Sequence, residues 1–68
     1  MTLNEMMKLI NEMTLVDTIY ADFIFKVFED ENDERFYEVG YYNDEVVLIM
    51  EVKKVNGNFE EVETIYEA

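Results

Sequence analysis

Apolar residues recur at three- and four-residue steps at the start of the chain and at two-residue steps beyond it. Leu3, Met6, Met7, Ile10 and Met13 share one side of a helical wheel, leaving Glu5, Lys8 and Glu12 on the other. Thr2-Leu3-Asn4-Glu5 fits a capping box, in which the threonine hydroxyl caps a free helix amide and the glutamate reaches back. A helix is predicted from about residue 3 to 13. From Thr18 to Phe28 the period becomes two, with Ile19, Ala21, Phe23, Phe25 and Val27 on one face of a predicted first strand. Glu29-Asp30-Glu31-Asn32-Asp33-Glu34 cannot be buried and predicts a loop, after which Arg35 to Tyr42 reads as the second strand. Asn43-Asp44 suits a two-residue hairpin turn because both residue types tolerate positive φ. The third strand then runs from about Glu45 to Lys54.

The segment from Asn58 to Tyr66 admits two readings. Asn58 and Glu61 resemble a second capping box, with Phe59, Val62, Ile65 and Tyr66 at helical steps. Against this, Asn56-Gly57 between apolar runs is a strong hairpin signal and favours a fourth strand. Register decides the loop. With Asn43-Asp44 as a turn, Tyr41 meets Val46, Val39 meets Leu48 and Tyr37 meets Met50, an apolar row. A three-residue Val55-Asn56-Gly57 loop extends that row by pairing Met50 with Val62, Leu48 with Thr64 and Val46 with Tyr66. A two-residue Asn-Gly loop places Glu61 and Glu63 opposite Val52 and Met50, which the cost of burying charge disfavours. The expectation is therefore an α+β domain spanning residues 1–68, one N-terminal helix packed on a four-stranded antiparallel meander (αββββ), with a short helix as the alternative for the last strand. Its outer face carries Tyr20, Ile24, Phe28, Phe36, Val47, Ile49, Phe59 and Ile65 among Asp22, Glu38, Glu51, Glu61 and Glu63.

Composition narrows the function classes. Half of the 68 residues are apolar, with five Phe and five Tyr, unlike disordered acidic tails. A chain of this length supports one small domain, whose core typically contributes about 3–5 kcal/mol of net stability. No apolar run approaches the length of a membrane helix, and the first residues lack the pattern of a signal peptide, so an intracellular, cytoplasmic protein is expected. Seventeen Asp and Glu against five Lys and Arg give a formal charge of −12. Nucleic acid and anionic membranes repel such a chain, and its natural charged partners are basic proteins or cations.

The absence of Cys and His removes thiolate nucleophiles, the commonest transition-metal ligands and the usual neutral-pH proton shuttle. Catalysis has only carboxylates, Lys, Tyr and Thr to use, and a non-enzymatic protein without cofactor is expected. The loop from Glu29 to Glu34 alternates possible calcium ligands, but Arg35 stands where the EF-hand pattern needs glycine, and a solvated loop is the simpler reading. The Met-rich helix is read as core filling, with Met7 and Met1 left as open positions for docking. Aromatic strand residues without a basic groove do not make a nucleic-acid platform.

The remaining feature is the negative field, larger than solubility requires. Carboxylates on alternate strand positions build rows able to stand in for a phosphate backbone. In size and charge alone, the chain resembles phage-encoded acidic inhibitors of restriction, repair or CRISPR nucleases. The leading expectation is an inhibitor that blocks a basic nucleic-acid-binding protein, using Glu29, Asp30, Glu31, Asp33 and Glu34 of the loop with Glu38, Glu51, Glu61 and Glu63 of the outer face. Ile24, Phe36 and Ile49 are expected to anchor it as an apolar strip. The competing expectation is a homo-oligomeric assembly module, such as a homodimer, meeting through the half-apolar outer face.

Overall fold

A hydroxyl and a carboxylate start the helix. In the computed structural model, which describes all 68 residues, Thr2 Oγ1 accepts from the Glu5 amide at 3.2 Å and Glu5 Oε1 accepts from the Thr2 amide at 3.1 Å. These bonds also hold the Glu5 carboxyl below the usual carboxylate pKa. The helix α1 covers Leu3–Ile10 and stops three residues short of the expected end. Asn11 caps it, and the Glu12 and Met13 amides donate to the Leu9 and Ile10 carbonyls in tighter turns. Met13 therefore still packs on the core from outside the helix.

The sheet has five antiparallel strands in sequence order, not four: β1 (Thr14–Tyr20), β2 (Ile24–Asp30), β3 (Arg35–Tyr42), β4 (Glu45–Val55) and β5 (Asn58–Glu67). The expected first strand is a hairpin folded at Ala21-Asp22-Phe23, with Tyr20 opposite Ile24 and Ile19 opposite Phe25. A loop of three residues keeps odd positions on one face in both arms, so the alternation runs through the turn unbroken. No Gly, Pro or Asn marks it. Upstream, Val16 is an extra residue between Leu15 and Asp17 that breaks the alternation over the first half of β1.

Asn43 and Asp44 form the expected turn, with φ of 51° and 64° and Tyr42 opposite Glu45. Register then departs from expectation, because Val47 is an extra residue between Tyr41↔Val46 and Gly40↔Leu48. Val39 consequently meets Ile49 and Tyr37 meets Glu51, while Leu48 and Met50 turn to the opposite face. The last segment is a strand and not a helix. Its hairpin is the two-residue Asn56-Gly57 turn, with φ of 52° and 84° and Val55 opposite Asn58. Glu61 does stand opposite Val52, but on an exposed edge strand, so its carboxylate stays in water. Extra residues at Val62 and Ile65 then reset the register, giving Glu63↔Glu51, Thr64↔Met50 and Tyr66↔Ile49.

The helix covers one face. Ile10 packs with Phe28, Val39 and Ile49, flanked by Leu3, Met6, Met7, Met13, Tyr41, Val46 and Tyr66. The other face holds a second apolar layer in which Val27 and Val52 are only 0% and 3% exposed. Aromatic rings close it: Phe36 meets Phe59 edge-on at 5.4 Å, and Phe23 meets Phe25 and Tyr42 at 6.2 and 5.4 Å. Gly40 lets the Phe25 ring lie on the sheet, since a Cβ there would sit 3.1 Å from Phe25 Cε1. No helix is long and apolar enough to cross a membrane.

Candidate functional site: an acidic cleft beside an apolar groove

The end of α1, the start of β1, the last two residues of β2 and the β2–β3 loop meet at one end of the sheet, Glu29 and Asp30 lying in β2 and not in the expected loop. They enclose a cleft of about 500 Å³ whose walls include Glu12, Glu29, Asp30, Glu31 and Asp33, with Asn32, Thr14, Leu9, Met13 and Tyr37 completing them. The loop is shaped locally: Asp30 Oδ1 accepts from the Asn32 amide at 3.1 Å, and Glu34 closes the turn in the left-handed region at φ 55°. Thr14 Oγ1 donates to Glu31 Oε1 at 3.3 Å and ties the loop to β1. Five carboxylates thus line one depression in which no Lys or Arg takes part. They do not converge, and no three of the acids are placed to share a metal ion. Arg35, just past the loop, has its pKa raised by hydrogen bonding with Tyr37 and by the charges of Glu51, Tyr37 and Asp33.

Of the residues expected to bind a partner, Glu29, Asp30, Glu31 and Asp33 come together here, while Glu34 is exposed outside the lining. The others scatter. Glu38, Glu61 and Phe36 lie on the helix-free face, opposite Val27, Val52 and Val52 respectively. Burial among Val27, Met50 and their neighbours raises the Glu38 pKa. Glu51 and Glu63 stand opposite each other on the helix side, a like-charged pair that costs stability. Ile24 sits between Tyr20 and Tyr41 near the first turn. Ile49 is wholly buried beneath α1, so the expected outer strip of Ile24, Phe36 and Ile49 does not exist.

Beside the cleft runs a groove of about 360 Å³ lined by Met1, Met6, Leu9, Ile10, Met13, Tyr37, Ile49 and Ile65, all apolar or aromatic. Leu9, Met13 and Tyr37 line both depressions, which are therefore contiguous. Sequence reasoning missed Glu12, Thr14 and Tyr37 as parts of a site. Glu12 was legible only as a polar helix position, and its approach to the loop follows from the helix ending at Ile10. Compared with known protein families, curated proteins and solved structures, the chain matches none.

Proposed function

We propose that this protein is a non-enzymatic acidic binding protein that occupies the basic surface of a nucleic-acid-binding protein, such as a defence nuclease, in the manner of a phage-type inhibitor acting in the cytoplasm. The cleft carries the reading: five carboxylates from two stretches of the chain, residue 12 and residues 29–33, line it with no basic residue among them, in a chain of net charge −12. A surface of this kind attracts Lys and Arg side chains that otherwise meet phosphates, and its attraction is screened by salt. Glu60, Glu61, Glu63 and Glu67 add further negative charge on the edge strand β5. The competing assembly reading finds less support in the same geometry, because Ile49, Val27 and Val52 are already buried within the single chain.

The test is capture of partners from bacterial lysate on the immobilised protein, with elution by rising salt and by duplex DNA. A nucleic-acid-binding protein should be retained, released by both eluents, and lost from the variant carrying Asp30→Lys, Glu31→Lys and Asp33→Lys. Partners that resist DNA and bind the triple variant equally well refute the proposal.

A further inference from the structure

We propose that the groove and the cleft together seat one basic amphipathic helix of the partner, a statement that rests on the function proposed above and specifies what is recognised. The groove has α1 and the turn after it as one wall, through Met6 and Leu9 of the helix and Met13 beyond it, and the β5 residue Ile65 as the other. Leu9 is 48% and Ile65 41% exposed, so apolar side chains stand in water along a track in a fold that buries only seven residues. Three of the lining residues are methionines, whose flexible thioethers adapt to the shape of an incoming side chain. The track runs directly into the carboxylates of Glu12, Glu29, Asp30, Glu31 and Asp33. An occupant that fits both must carry an apolar stripe and, toward one end, positive charge.

The form of that occupant follows from the edge beside it. An extended segment that gains its affinity by adding to β5 meets the extra residues at Val62 and Ile65, which interrupt the regular pairing of that strand and spoil it as a template. A helix needs no backbone pairing and presents its apolar residues at i, i+3, i+4 and i+7 to such a groove. Charge argues against a second copy of this chain, since its own α1 and the turn after it bring Glu5 and Glu12, and the copy brings a further −12, to an acidic site.

The probe is a fluorescent peptide of about 14 residues, built from Leu and Lys with Leu at helical spacing and long enough to form a helix on binding. A scrambled peptide of identical composition is the control, and both are titrated by anisotropy at low and high salt. The amphipathic peptide should bind about tenfold or more tightly than the scramble, the scale set by burying a Leu-sized side chain. Leu9→Ser and Ile65→Ser should each remove most of that preference while the melting temperature changes little. Equal, salt-sensitive binding of both peptides overturns the groove proposal and leaves the acidic binding reading intact. Failure of both to bind at low salt overturns the two together. A dimer of the free protein in sedimentation, dissociated by Leu9→Ser, assigns the groove to a second copy and likewise overturns the proposal.

Discussion

Shortening Ile49 to valine removes one methylene from the middle of the core, beneath Ile10 of the helix and directly across from Val39. The side chain is fully buried, so it loses its transfer free energy and leaves a small void that a strand paired on both sides cannot collapse into. Ile→Val changes of this kind cost about 0.5–1.5 kcal/mol. About 1 kcal/mol lowers the melting temperature of a domain this small by roughly 4–8 °C. Ile49→Ala should cost about 2–5 kcal/mol. That approaches the whole of the roughly 3–5 kcal/mol available to a core of this size, and the alanine variant should be largely unfolded. Ile65→Val supplies the control, because Ile65 is an extra residue on an edge strand, and its cost should stay below about 0.5 kcal/mol. Urea titrations followed by far-ultraviolet circular dichroism measure all three. If Ile49→Val and Ile65→Val were equally mild, Ile49 would not lie under the helix, and the register after Val47 would be refuted.

Two further outcomes test the acids. Burial raises the folded-state pKa of Glu38 above its ordinary 4.5, so the native protein binds a proton there more readily than the unfolded chain. The resulting penalty is absent below the unfolded pKa and grows as pH rises through the folded one. Glu38→Gln should therefore melt higher than the parent at pH 7 with the difference shrinking toward pH 4, and a difference independent of pH in thermal melts would refute the assignment. Glu34 holds a left-handed φ of 55°, a strain of about 1–2 kcal/mol for an L-residue. After the greater entropy of glycine in the unfolded chain is set against that relief, Glu34→Gly should stabilise by about 0.5–1 kcal/mol. Glu34→Gln separates the loss of charge, and an equal gain from both variants would place the effect in electrostatics instead of backbone strain.

What could be read in the sequence was local, and what could not was produced by single extra residues. Thr2 and Glu5 announced the helix start because both partners of the cap lie within one turn, and Asn43-Asp44 announced its hairpin because few residue pairs accept two positive φ values. The Ala21-Asp22-Phe23 turn was silent for a geometric reason: an odd-length loop preserves the alternation that defines a strand, so two short strands read as one long one. Val16, Val47, Val62 and Ile65 were equally silent. Each extra residue is β-branched and apolar, the type that strands favour at paired positions, and nothing in its type distinguishes it from a paired one. The loop acids of the cleft were legible as residues unable to be buried. Their meeting with Glu12 was not, since it depends on where the helix ends and where β1 begins.

The charge and the thin core pull on this chain in opposite directions, and salt separates their roles. Screening reduces the mutual repulsion of the carboxylates around the cleft and of Glu51 with Glu63, and so stabilises the free fold. The same screening weakens the attraction of those carboxylates for a cationic partner. A protein whose acids serve only solubility gains from the first effect and has no use for the second. One whose acids bind loses affinity under conditions in which its own structure becomes firmer, so salt-induced release of a partner cannot be put down to unfolding. The apolar groove beside the cleft is the part of such a complex that salt leaves in place. A partner helix seated there should keep some affinity where a purely cationic ligand keeps almost none, because removing Leu9 and Ile65 from water does not depend on ionic strength in the way that pairing Asp30 or Glu31 with lysine does.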